Sequence, residues 1–208
     1  MTARRPSVLN AGEHALLVET GSLDASHRLH ALLLADRPDG VEDVVPGPRT
    51  VLVVAPGVDR SRLSARLAAL LEAAATTRPP AGADGVVEIP VTYDGDDLAA
   101  VAELTGLSVD EVVARHTGSD LVVGWLGFAP GFAYLVGLDP ALHVPRLDVP
   151  RTSLPPGSVA VAGPYSAIYP SASPGGWRLL GRTDTRVWDA AADPPALLPP
   201  GTRVRFRA

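Results

Sequence analysis

Neither cysteine nor lysine occurs among the 208 residues. Without cysteine the chain forms no disulfide, carries no thiolate nucleophile and offers no zinc–thiolate site. All 18 basic side chains other than histidine are arginine, which removes Schiff-base chemistry, a pyridoxal anchor and the lysine of a Walker-type phosphate loop. Any phosphate or carboxylate handled here must be met by arginines, backbone amides or a partner's residues. No apolar run approaches the ~20 residues of a membrane span. The start, "MTARRPSVLNAGEH", lacks the hydrophobic segment of a secretory signal, so a cytoplasmic chain with no membrane contact is expected. The net charge of −5 exerts no general pull on nucleic acid.

What is present describes a folded protein, with 46% apolar residues, 20 glycines and 21 prolines. The first ninety residues alternate strands and helices. "ALLVET" (15–20) reads as a buried strand, preceded by a short one around "SVLN". In "SLDASHRLHALLLAD" (22–36), Ala25, Leu29, Leu32 and Leu33 share one helical side. "VEDVV" (41–45) and "TVLVVA" (50–55) flank a "PGPR" turn. "DRSRLSARLAALLEAAA" repeats the helical pattern, with Asp59 or Ser61 as its cap. Beyond the Pro- and Gly-containing "TTRPPAGAD", the run "VVEIPVTY" (86–93) reads as another strand. The order is βαββαβ, a ferredoxin-like arrangement over residues 1–90. His27 and His30 lie three apart on one helix but have no third ligand nearby in sequence, so no metal site is expected.

Two short helices follow. "DGDDLAAVAELTG" offers an Asp cap and Gly106 as a stop, and in "SVDEVVARHT" Ser108 and Glu111 have capping-box spacing. His116 falls on the apolar side of the last turn with Val109, Val112 and Val113, where the helix dipole favours a protonated ring. From 121 onward short strands ("LVVGWLGF", "VAVAG", "SAIYP", "TRVWD", "TRVRFRA") alternate with Gly- and Pro-rich connections. This is the pattern of a β-barrel or sandwich. The fold class is therefore α+β with two domains, 1–90 and 91–208.

Three stretches concentrate chemistry, all in the second domain. "WLGFAPGFAYL" (125–135) interleaves Trp125, Phe128, Phe132 and Tyr134 with Gly127, Pro130 and Gly131. It reads either as a pocket wall with exposed amides or as packing around a tight corner. "PRLDVPRTSLP" sets Arg146 and Arg151 beside prolines that restrict the backbone; the alternative is simple surface exposure. "YPSASPGGWRLLGRT" (169–183) can form an anion-binding turn at "SPGGW", with Tyr169 and Trp177 as walls and Arg178 or Arg182 as a charged contact, or it can be a sharp β-turn. No nucleophile elbow and no Ser–His–Asp pattern appears.

The segments "GEHALLVE", "IPVTYDGDDLAAVAELTGLSVDEVVARHT", "GFAPGFAYLVGLDP", "VPRLDVPRTSLPPGSVAVAG", "IYPSASPGGWRLLGRT" and "LLPPGTRVRF" run nearly the full chain. In that order they resemble the B-type subunit family of the bacterial ATP-dependent 5-oxoprolinase. The family is also described as allophanate-hydrolase subunit 1-like, carboxyltransferase subdomain C-like or sporulation-kinase-inhibitor-like. Glu13 departs from the family pattern, as do Pro164 and Ala167 in "AGPYSAIYP".

The resemblance implies that the second domain is a cyclophilin-like β-barrel. It implies two partners, a homologous C-type subunit together with an A-type one, and the opening of 5-oxo-L-proline to L-glutamate. ATP and Mg2+ are then expected for the assembled complex and none for this chain alone. In the site shared with the C-type partner, His116, Arg146 and Arg151 are the expected catalytic residues. Phe128, Gly131, Tyr134, Tyr169, Ser173, Gly175, Gly176 and Arg182 are the expected substrate contacts. The same resemblance admits a urea- or allophanate-type amidohydrolase or carboxyltransferase component, and a non-catalytic inhibitor of a histidine kinase.

Overall fold

The computed structural model describes residues 7–76 and 85–208, and the chain divides into two compact units, Met1–Ala81 and Gly82–Ala208. The Pro- and Gly-rich connection at 77–84 lies outside the described residues.

The first unit comprises β1 (Ser7–Ala11), β2 (Ala15–Glu19), α1 (Leu23–Ala35), β3 (Asp43–Pro46), β4 (Thr50–Val54) and α2 (Arg60–Thr76). Helix α1 starts where the Ser22 hydroxyl accepts the Ala25 N–H at 3.2 Å. Helix α2 starts where Asp59 accepts from the N–H groups of Ser61 and Arg62. Their apolar stripes (Leu29 and Leu33; Leu63 and Leu67) are buried with Leu16, Val18, Val51 and Val53 of the sheet. All pairings are antiparallel and the order is β1-β2-β4-β3. The expected βαββαβ order fails at its last strand. Strand β5 (Val86–Pro90) pairs in parallel with β13 (Arg203–Arg207) in the other unit's sheet. The edge beside β2 belongs to β1 instead, closed onto it through a turn with Gly12 at φ 68°. Local apolar alternation marks β5 as a strand but does not name its partner.

The second unit adds α3 (Leu98–Thr105), α4 (Val109–Gly118), β6 (Leu121–Leu126), β7 (Ala133–Val136), β8 (Arg151–Leu154), β9 (Ser158–Ala162), β10 (Tyr165–Ile168), β11 (Ser173–Gly175) and β12 (Arg178–Arg182). The sheet order is β12-β9-β10-β7-β6-β13-β5, and β11 and β8 form a separate ribbon. Thr92 and Arg182 exchange backbone hydrogen bonds of 2.8 and 2.9 Å, which link the two outer strands. A Cβ on Gly181 would collide with the Thr92 carbonyl, so only glycine permits that approach. The run 185–189, expected as a strand, forms only a single bridge, Trp188 to Ala196.

Strand β9 is buried along its whole length, and its two-residue period feeds two cores. Val159 and Val161 join an aliphatic core with α3, α4, Ile168, Leu180 and Phe206. Ala160 and Ala162 face the other way, into a cluster of Phe132, Tyr169, Trp177 and Leu154. Small alanines on that side of the strand leave room for the large rings.

Candidate functional site

The aromatic side of the sheet carries the candidate site. Between β6 and β7, the Ala129 N–H donates to the Gly127 carbonyl at 2.8 Å while Phe128 takes φ 67°. That is a γ-turn of the positive-φ kind, which is strained for a non-glycine residue. Phe128 is the one such residue among those described. The next four residues form a turn closed by Phe132 N–H to Ala129 O at 3.0 Å, with Pro130 leading and Gly131 at φ 76°, the geometry of a type II turn. Gly131 is also held against Trp188, since a Cβ there would meet that side chain at 2.5 Å. The double turn buries Phe132 and leaves Phe128 61% exposed, touching Phe132 and Tyr169 edge-on.

The opposite wall is the β8–β11 ribbon and the turn after it. Leu147 N–H donates to Gly176 O at 2.7 Å, tying the arginine-bearing loop to the glycine pair. A Cβ on Gly175 would collide with the Tyr169 hydroxyl and lie 2.8 Å from Leu154. Tyr134 stacks on Trp125 at 4.8 Å and meets Phe132 and Trp177 edge-on. Together Phe128, Phe132, Tyr134, Tyr169, Trp177, Arg146 and the glycines enclose a cavity of about 80 Å³. The Arg146 guanidinium lies 5.8 Å from the Trp177 ring centroid, a cation–π distance. Burial pushes the Tyr169 phenol up; a hydrogen bond to the Trp177 backbone and the charges of Arg146 and Arg151 pull the other way.

The two expected catalytic arginines differ. Both terminal nitrogens of Arg151 donate to Asp97 at 2.9 Å, and the buried Asp97 carboxylate also accepts the Leu179 N–H at 2.8 Å. Asp97 therefore holds Arg151 still more firmly protonated. Asp97 stands at the cap position of α3 but makes no side-chain cap bond. Its segment packs closely on β12, where a Cβ on Gly95 would lie 2.5 Å from the backbone of Leu179 and Leu180. The pair ties β8 of the ribbon to the seven-stranded sheet. No carboxylate pairs with Arg146 among the described residues.

His116 lies on the other face. It is fully buried, stacked on Phe206 at 4.5 Å, with Nδ1 2.7 Å from the Tyr93 hydroxyl and Nε2 2.9 Å from the Ser166 hydroxyl. Ser166 donates to Ala160 O, so Nε2–H donates to Ser166 and Nδ1 accepts from Tyr93. Burial pushes the ring down to about 3, overriding the helix-end field that favours its charge. The ring is neutral, enclosed and away from the cavity. Of the remaining expected contacts, Arg182 pairs with Asp94 at 2.9 Å and lines a separate cleft of about 290 Å³. Ser173 carries a buried hydroxyl oxygen with no hydrogen-bond partner among the described residues. A larger cleft of about 560 Å³ also touches Tyr169, bordered by Ser171, Thr183, Asp184 and Arg186, but its arginine pairs with Asp189. Among the described residues there is no group of three or more His, Asp or Glu side chains able to hold a metal ion. No described helix is long and apolar enough to cross a membrane.

The structure thus brings together Phe128, Tyr134, Arg146, Tyr169, Gly175 and Gly176, and separates His116 and Arg182 from them. The sequence pattern offers Asp97 only as a helix cap. Its signal was the glycine two residues earlier, which lets an acidic residue press onto a strand.

Residues 6–198 match the family described as carboxyltransferase domain, subdomain C and D. The B-type subunit of 5-oxoprolinase from Escherichia coli O157:H7 is 40% identical over 205 residues, covering 94% of this chain and 92% of that protein. Its counterpart from Bacillus subtilis is 44% identical over 124 residues, 58% of this chain and 52% of that one. The crystal structure of TTHA0988 superimposes with a TM-score of 0.82 at 40% identity, over 93% of this chain and 40% of that longer one. The chain belongs to the 5-oxoprolinase B-type subunit family, within the carboxyltransferase subdomain C and D group.

Proposed function

We propose that this chain is the B-type subunit of an ATP-dependent 5-oxoprolinase. It is non-autonomous, and acts with A-type and C-type partners to convert 5-oxo-L-proline to L-glutamate. The observation that carries the reading is the likeness to the Escherichia coli O157:H7 protein, which extends over nearly the whole of both chains. The cavity fits a contributing role. Arg146 and the Gly175–Gly176 backbone can stabilise charge on a bound ligand. His116, the expected acid–base group, is sealed in the core and does not line this cavity. In this reading ATP and Mg2+ act in the assembled complex, as the family resemblance implies. The C-type partner completes the site over the open Phe128 side.

The finer fold reading belongs to the same proposal. The order β1-β2-β4-β3 supports a ferredoxin-like first domain in which the N-terminal strand takes the closing strand's place. The Thr92–Arg182 link supports a cyclophilin-like β-barrel for the second. The division falls ahead of β5, and the protein works in the cytoplasm.

Mixing this chain with its A-type and C-type partners should give glutamate formation that requires both ATP and 5-oxoproline, with urea inert as substrate. A folded, assembled set that leaves 5-oxoproline intact overturns the assignment.

A further inference from the structure

We propose that the Arg146 cavity is a carboxylate subsite, which takes the acid end of the substrate and leaves its lactam outside, over Phe128. The inference rests on the reading of the chain as part of a 5-oxoprolinase and assigns one end of the ligand to one wall.

Size comes first. The cavity is small, about 80 Å³, and opens beside the exposed Phe128, which suits a compact planar carboxylate as the group it holds. Charge comes second. Arg146 is exposed and has no carboxylate partner among the described residues, whereas the neighbouring Arg151 is bridged twice by Asp97. A planar guanidinium fork matches a carboxylate. The Trp177 ring lies 5.8 Å from it, a cation–π contact on one side.

Shape comes third. Gly175 and Gly176 stand where a Cβ on Gly175 would collide with Tyr169 and Leu154, so the ribbon backbone closely approaches the cavity floor. The strained γ-turn at Phe128 places an exposed ring at the mouth, suited to covering the ligand's apolar ring atoms. An uncharged lactam lacks the group this cavity is shaped for, so recognition of the acid end selects 5-oxoproline over simple lactams.

The test uses the full chain and the assembled complex. In an NMR titration following the Trp177 indole, 5-oxo-L-proline should bind saturably and 2-pyrrolidone, the same ring without the acid, should not. Arg146→Gln should weaken 5-oxo-L-proline binding about tenfold or more, and Arg146→Lys should recover part of it. In the complex, Arg146→Gln should raise KM at least as much. Equal binding of 2-pyrrolidone, wild-type binding by Arg146→Gln, or no saturable binding overturns the subsite. Turnover of 5-oxoproline with KM unchanged in Arg146→Gln removes the subsite and leaves the function standing. Arg146-dependent carboxylate binding without turnover removes the function and leaves the subsite.

Discussion

The two faces of the seven-stranded sheet treat polar groups in opposite ways. On the aliphatic face His116 is enclosed, and both ring nitrogens are answered by Tyr93 and Ser166. On the aromatic face Arg146 lies over Trp177 beside a cavity, with no acid paired to it among the described residues. The first arrangement stabilises a unique packing, because a buried polar network that is fully satisfied resists rearrangement. The second leaves a charge available to a ligand. Arg151 stands between them: it lies on the aromatic side yet is wholly engaged by Asp97, so it positions the wall that Arg146 shares.

The largest expected effect comes from breaking that wall. Asp97→Ala leaves Arg151 without its partner and the Leu179 N–H without an acceptor. It should cost about 3 kcal/mol, read by urea unfolding at pH 7. A loss under about 1 kcal/mol would mean that the ribbon holds itself in place and that the pair is incidental.

Next is the pH response of the sealed face. The His116 ring is pushed down to about 3 from an ordinary 6.5. Below pH 6.5 the unfolded chain therefore binds a proton that the folded one refuses. Stability is fully present above pH 6.5 and falls as pH drops toward 3, by up to about 1.4 kcal/mol per pH unit. Denaturation midpoints at pH 7 and pH 5 should show it, and His116→Phe should flatten the difference. An unchanged slope in that variant would place the titration elsewhere.

A smaller effect tests the strain at the cavity mouth. Phe128→Val should be less stable than Phe128→Gly by about 1 kcal/mol, because a β-branched residue fits φ 67° poorly and glycine fits it freely. Thermal melts decide, and a valine variant as stable as the glycine one would deny the strain.

Much of this was legible in the residues. The capping box of Ser108 and Glu111 forms as its spacing predicts. The Leu29 and Leu33 stripe is buried, and the aromatic–glycine stretches converge on one cavity. Three things were not legible, each for a physical reason. Strand β5 pairs with β13, more than a hundred residues away, and alternation carries no information about such partners. The sequence places His116 on an apolar face at a helix end, but only the fold shows the ring fully enclosed, where burial outweighs the helix-end field. Arg146 and Arg151 sit in near-identical Pro-Arg settings. Only the fold shows that an acid 54 positions before Arg151 reaches it, while none of the described acids pairs with Arg146.

Arg146→Gln, measured for both unfolding free energy and KM for 5-oxoproline in the assembled complex, tests the comparison most directly. The account predicts stability within about 1 kcal/mol of wild type, the size of an exposed cation–π contact, with KM raised about tenfold or more. A stability loss as large as that of Asp97→Ala, with KM unchanged, would contradict it.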